Sequence, residues 1–153
     1  FQLPALTRDG VTLVISPLIA LMRDQVRALR ALGVEAGALT SQSTEQERED
    51  VFRALEGGRL KLLYLAPERL AAAATLPMLK RAGVTALAVD EAHCVSQWGH
   101  DFRPDYLRIG ELRRALGVPL AAFTATADAE TRAEIVTRLF DGVAPETFLR
   151  GYD

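Results

Sequence analysis

Short apolar runs alternate along the chain with stretches in which apolar residues recur every three or four positions. Thr12 to Ser16 (TLVIS) reads as a buried strand that stops at Pro17. Leu18, Leu21, Met22, Val26, Leu29 and Leu32 follow at helical spacing, with Arg23, Asp24, Arg27 and Arg30 on the other face and Gly33 at the end. Residues 35–40 (EAGALT) form a weaker strand candidate. Residues 41–58 predict a helix that starts at Ser43 or Thr44 and stops at Gly57, and Thr44 with Glu47 fits a capping box. LKLLYLA (60–66) is the next strand, PERLAA opens a short turn or helix, and a further helix runs from about Pro77 to Ala82. ALAVD (86–90) and LAAFTA (120–125) are two more strands, separated by a helix over Tyr106 to Leu116. Asp128 caps a last helix through Phe140, and ETFLRG reads as a final strand. The sequence contains no repeat, low-complexity segment or linker.

This alternation predicts an α/β fold, with βαβ units stacked into a mostly parallel sheet flanked by helices. In such sheets ligands sit beyond the carboxyl ends of the strands. The polar residues that follow the strands are Ser16, Glu68 with Arg69, Asp90 with Glu91, and Thr124 with Thr126. Four strand ends therefore deliver polar groups to one rim, which is the geometry of a site.

Composition narrows the picture. The 153 residues amount to one domain, and 49% hydrophobic with 25% charged residues describes a globular rather than a disordered chain. No apolar run approaches the roughly 20 residues of a bilayer span, and FQLPALTRDG lacks a signal-peptide pattern, so a membrane partner is not expected and a cytoplasmic protein is the default. Cys94 is the only cysteine, and His93 and His100 lack an HExxH frame, so neither an intrachain disulfide nor a zinc site is expected. A net charge of −2 argues against coating nucleic acid by bulk charge, so any such contact is local.

One stretch carries candidate chemistry, AVDEAHCVSQWGHDFRPDY (88–106). An apolar run ends in Asp90 and Glu91 and leads into a polar loop with Trp98, Phe102 and Tyr106, rings that do not read as core. A carboxylate closing a buried strand is well placed to hold Mg²⁺ while a nucleotide supplies further oxygens. The next carboxylate can orient or deprotonate an attacking water. The plain alternative is an acidic turn that caps the following segment.

AVDEAH resembles the Walker B motif of a DEAH-type superfamily-two helicase, and DEAHCVSQWGHDFRPDY is similar to the RecQ family of DNA helicases. SPLIALMRDQV (16–26) resembles that family's motif Ia, LLYLAPERL (62–70) its motif Ib region, and FTATA (123–127) its motif III. The resemblance covers nearly the whole chain in order and spacing. It implies the first RecA-like lobe, of the P-loop NTPase type, of an ATP-dependent DNA helicase that moves three-prime to five-prime. Its expected ligands are ATP, Mg²⁺ and single-stranded or partly duplex DNA, its partner is a second RecA-like lobe, and its location is cytoplasmic, near the nucleoid, or nuclear.

Carried over by residue, the resemblance makes Asp90 the Mg²⁺ ligand, Glu91 the base for hydrolysis and His93 the link between nucleotide and DNA. A packed turn histidine is the alternative for His93. Ser16, Pro17, Arg69, Gln97, Trp98, His100, Phe102 and Arg103 are the expected DNA contacts: rings on which bases stack, and donors to phosphates. Against this, SPL is also an ordinary helix start, Trp98 a plausible anchor on the core, and Arg69 a partner for Glu68. Thr124 and Thr126 are the expected relay between the two sites, or simple caps. Cys94 reads as a small buried hydrophobe.

A phosphate cradle GxxxxGK[ST] does not occur in these residues, whose only lysines are Lys61 and Lys80. FQLPAL resembles the stretch that follows this cradle in the family, so the expectation is a lobe over 1–153 that is incomplete at its N-terminus. By itself such a chain would not hydrolyse ATP. The competing expectations are a truncated, non-catalytic module that binds DNA or protein, and an RNA-remodelling ATPase of the same superfamily.

Overall fold

A computed structural model describes residues 10–97, 99, 101–124 and 128–142. Its strands are β1 (Val11–Ile15), β2 (Ala36–Leu39), β3 (Leu62–Leu65), β4 (Val84–Val89) and β5 (Leu120–Ala122). All pair in parallel, in the order β2-β3-β1-β4-β5. The helices are α1 (Ile19–Ala31), α2 (Glu45–Glu56), α3 (Thr75–Ala82), α4 (Arg108–Leu116) and α5 (Ala129–Leu139). The parallel α/β architecture expected from the alternation is what the chain adopts.

Strand order also fixes the layers. Crossovers between parallel strands are right-handed. The step from β1 to β2 runs one way across the sheet, whereas those from β2 to β3, β3 to β4 and β4 to β5 run the other way. Right-handedness thus puts α1 on one face and α2, α3 and α4 on the opposite face. Met22, Val26 and Leu29 of α1 accordingly pack with Val14, Tyr64 and Ala88. Val51, Leu55, Leu79, Ile109 and Leu112 pack with Leu13, Ile15, Leu65 and Val89, joined by Ile135 and Leu139 of α5. Each fully buried aliphatic side chain contributes about 1.5–3 kcal/mol. Every residue of β1 is buried, as a central strand covered on both faces must be.

Local chemistry sets the helix boundaries. Thr44 accepts from the Glu47 N–H while Glu47 accepts from the Thr44 N–H, so the capping box selects Thr44 over Ser43. Asp128 caps α5 by accepting from the Thr131 N–H at 2.8 Å. The helix expected from Tyr106 begins at Arg108 instead, because Pro104 opens a 3-10 turn over Pro104–Leu107. The helix expected from about Pro77 already starts at Thr75. ETFLRG, Trp98, His100 and Thr126 lie outside the described residues.

Gly110 marks where α4 meets the C-terminal end of α5: a Cβ there would collide with the Arg138 carbonyl oxygen. Alanine would gain about 1 kcal/mol of helix propensity over glycine. The clash is with backbone and outweighs this, so Gly110→Ala should destabilise by about 1–3 kcal/mol. A urea midpoint unchanged from wild type would show that α4 and α5 separate freely.

Candidate active site at the carboxyl edge of the sheet

The parallel register runs past the strand ends and aligns the residues that follow them. The Ser16 N–H donates to the Leu65 carbonyl at 3.2 Å, the Asp90 N–H to the Ile15 carbonyl at 2.8 Å and the Phe123 N–H to the Val89 carbonyl at 2.8 Å. Asp90 is 3% exposed. Its Oδ1 accepts from the Glu91 N–H at 3.0 Å and its Oδ2 from the Ser16 hydroxyl at 3.5 Å. The Tyr106 hydroxyl donates to the Asp90 carbonyl at 2.8 Å. The carboxylate and the backbone that carries it are thus held from three elements.

Glu91 departs from ordinary geometry, with φ 56° and ψ 44°, the left-handed region. A non-glycine residue there costs roughly 1–2 kcal/mol. The turn is held by the Ala92 N–H, which donates to the Phe123 carbonyl at 2.8 Å, and by a 3-10 turn over Ala92–Val95. Such strain clusters where geometry serves function. Burial, and after it the neighbouring Asp90 carboxylate, raises the Glu91 carboxyl above its ordinary 4.5, against the opposing pull of His93. A carboxylate raised in this way is a better proton acceptor.

His93 joins this pair to two further segments. Its Nε2 lies 3.4 Å from Glu91 Oε2 and 3.4 Å from Asp101 Oδ2, and its Nδ1 lies 2.9 Å from the Thr124 hydroxyl. With two carboxylates facing Nε2, the proton of a neutral ring belongs there, and Nδ1 accepts from Thr124. One imidazole therefore touches the strand end after β4, the strand end after β5 and the loop that carries Phe102 and Arg103.

Asp90, Glu91, His93, Ser16 and Thr124 come together. Ser16 is 3% exposed; its N–H is used in the sheet, and its hydroxyl serves Asp90 and the Leu18 N–H. That places it beside the carboxylates, with its N–H and hydroxyl already bonded within the chain. Pro17 is half-buried beside it, Gln97 and Arg103 are exposed, and Phe102 is half-buried. Arg69 stands apart: its side chain lines a groove with Phe52 and Met78, and it forms no ion pair with Glu68 among the described residues. Tyr106, expected among the exposed rings, is instead fully buried, because the 3-10 turn directs it inward where Asp90 satisfies its hydroxyl. Cys94 is buried as expected, its thiol pushed up to about 11 by burial in spite of nearby Arg103.

Sequence reasoning missed two participants, Tyr106 as the support of Asp90 and Asp101 as a partner of His93, and, away from the carboxylates, Glu134 of α5, which accepts from the Ser96 hydroxyl at 2.8 Å. Hard oxygen donors, the Asp90 carboxylate beside the Ser16 hydroxyl, suit a Mg²⁺ ion that takes its remaining ligands from nucleotide and water. Among the described residues no group of three His, Cys, Asp or Glu side chains could hold a metal without such help.

The profile of the DEAD/DEAH box helicases matches residues 1–135. The chain belongs to that family. Within this family its sequence is similar to RecQ helicases: it is 47% identical over 91% of its length to the ATP-dependent DNA helicase RecQ of Haemophilus influenzae. It is 45% identical over 100% of its length to that of Pasteurella multocida, and 49% identical over 91% to the ATP-dependent DNA helicase Q5 of Mus musculus. The chain spans 23%, 24% and 15% of these three relatives. Among solved structures, the Pyrococcus furiosus Hef helicase domain matches 96% of the chain and 30% of its own with a TM-score of 0.64 at 20% identity. The DUF1998 helicase MrfA bound to DNA matches 99% and 21% with a TM-score of 0.68 at 15% identity. Both likenesses show the fold, the RecA-like helicase domain.

The strain and the raised carboxyl at Glu91 predict separable effects on stability. A carboxyl raised on folding binds more protons folded than unfolded above its ordinary value, so its contribution is present in acid and lost as pH rises. Glu91→Gln removes the penalty of the buried charge. Its stability relative to wild type should increase as pH rises from below 4.5 to neutrality, as read by urea unfolding at each pH. Glu91→Gly, free of the left-handed penalty, should be about 1 kcal/mol more stable than Glu91→Ala.

Proposed function

We propose that this chain is the nucleotide-facing part of an ATP-dependent DNA helicase motor, acting on single-stranded and partly duplex DNA together with a second RecA-like lobe. The observation that carries the reading is the shared imidazole: His93 contacts Glu91, Thr124 and, through Asp101, the loop of Gln97, Phe102 and Arg103. A nucleic-acid strand on that loop and a nucleotide at the carboxylates would act on one side chain. The names of the relatives, ATP-dependent DNA helicases, support the same substrates.

ATP with its Mg²⁺ supplies the phosphoryl group and the cation that offsets its charge. Asp90 would hold the cation through its carboxylate, already oriented at Oδ2 by Ser16 and at Oδ1 by the Glu91 N–H. Glu91 would take a proton from water at Oε, a role that its raised carboxyl suits. His93 and Thr124 would keep Glu91 oriented, and displacement of Asp101 with its loop would alter that support. Exposed Arg103 would bond a phosphate, and Phe102 and Trp98 would stack on bases. The phosphate cradle would come from chain outside these residues.

The deciding measurement is ATP hydrolysis by the full-length protein with and without single-stranded DNA. Wild type should be stimulated, and Glu91→Gln should bind ATP yet lose about 100-fold or more in hydrolysis. Trp98→Ala should retain ATP binding and lose most of the DNA stimulation. No hydrolysis in wild type would overturn the motor reading in favour of a non-catalytic binding module, and stimulation by RNA alone would reassign the substrate.

A further inference from the structure

The start of the loop that follows the Ala92–Val95 turn is tied to α5 by three hydrogen bonds. The Ser96 hydroxyl donates to Glu134 Oε1 at 2.8 Å, the Gln97 N–H donates to Glu134 Oε2 at 3.4 Å, and Arg138 Nη2 donates to Gln97 Oε1 at 3.3 Å. Ser96 is 4% exposed and Glu134 half-buried, so the shortest of these bonds is partly shielded from water, where a bond to a carboxylate counts for more. Glu134 and Arg138 are four residues apart and share one face of the helix. Their orientation is fixed by Ile135 and Leu139, both 0% exposed in the core. The far end of the loop is held separately, by the Arg103 N–H on the Cys94 carbonyl at 2.9 Å.

The helix that carries Glu134 is the one that follows Thr124, the residue bonded to His93. Glu134 thus links the start of the DNA-facing loop to the element next to the imidazole, through Ser96 and Gln97, without itself reaching the carboxylates. We propose that Glu134 is a positioning residue that fixes the aromatic loop relative to Glu91 and so sets how strongly DNA on the loop stimulates hydrolysis. This rests on the motor reading above. Releasing Glu134 removes two of the three bonds and leaves Arg138 on Gln97 and the far end anchored at Cys94, so the start of the loop is loosened while the carboxylate site keeps its own supports.

The test compares wild type with Glu134→Ala in the full-length protein, by hydrogen exchange and by ATP hydrolysis over a range of single-stranded DNA concentrations. Exchange in the peptide covering 95–103 should be about tenfold faster in the variant, with peptides from β4 and α5 unchanged. Hydrolysis without DNA should stay at the wild-type rate, while the DNA-stimulated increment falls about fivefold. Glu134→Gln, which keeps one acceptor oxygen, should lie between. Ser96→Ala, which removes the partner hydroxyl from the loop side, should reproduce the exchange change should Glu134→Ala not fold. Unchanged exchange at 95–103 overturns the attachment, and equal acceleration in α5 and β4 overturns positioning in favour of general stability. A wild type that hydrolyses ATP but shows no DNA stimulation overturns the coupling role even if the exchange result holds. A wild type without hydrolysis overturns the motor reading instead.

Discussion

The ladder between β1 and β4 continues beyond the strands, because the Asp90 N–H bonds to the Ile15 carbonyl as the preceding residues bond within the sheet. Side chains alternate along a strand, so this register puts Val89 into the core shared with α2 and α3 and Asp90 on the opposite side, next to Ser16. A slip of one residue would exchange them and place a carboxylate among Leu13, Ile15 and Leu87. Burying an unpaired charge there is prohibitive, while Val89 in its present place is favourable. Packing of the core and placement of the acidic pair are one constraint, enforced from both faces of a central strand.

Around that fixed point the chain tolerates local cost. Glu91 combines a left-handed backbone with a carboxyl that burial disfavours in its charged form. Neither would persist on a free loop. Here the Ala92 bond to Phe123, the Tyr106 hydroxyl on the Asp90 carbonyl and the His93 ring hold the turn from three directions. Stability given up at one residue is replaced by neighbours that serve the same arrangement.

Much of this was legible in the sequence because it rests on short-range rules. TLVIS, LKLLYLA and ALAVD are apolar runs closed by polar residues, and parallel pairing needs no more than that to bring their ends together. The caps at Thr44 and Asp128 follow from hydrogen bonds three residues apart. What escaped depends on contacts between distant positions. Tyr106 lies in a polar neighbourhood and reads as exposed, yet a proline-initiated turn sends it inward over a span of 16 residues to Asp90. Ser16 reads as a helix start until a partner 74 residues away claims its hydroxyl. Asp101 and Glu134 are ordinary surface acids by local pattern, and only the folded loop reveals what they accept or face. Glu68 and Arg69, adjacent in the 3-10 turn over Pro67–Ala71, form no ion pair among the described residues.

Cys94 gives the molecule a practical property. The thiol is enclosed by core, and burial pushes it up to about 11, so at neutral pH the nucleophilic thiolate is scarce and sterically screened. The chain's sole native sulfhydryl is therefore silent toward maleimide dyes, and a cysteine introduced on the exposed loop would be labelled selectively on the natural background.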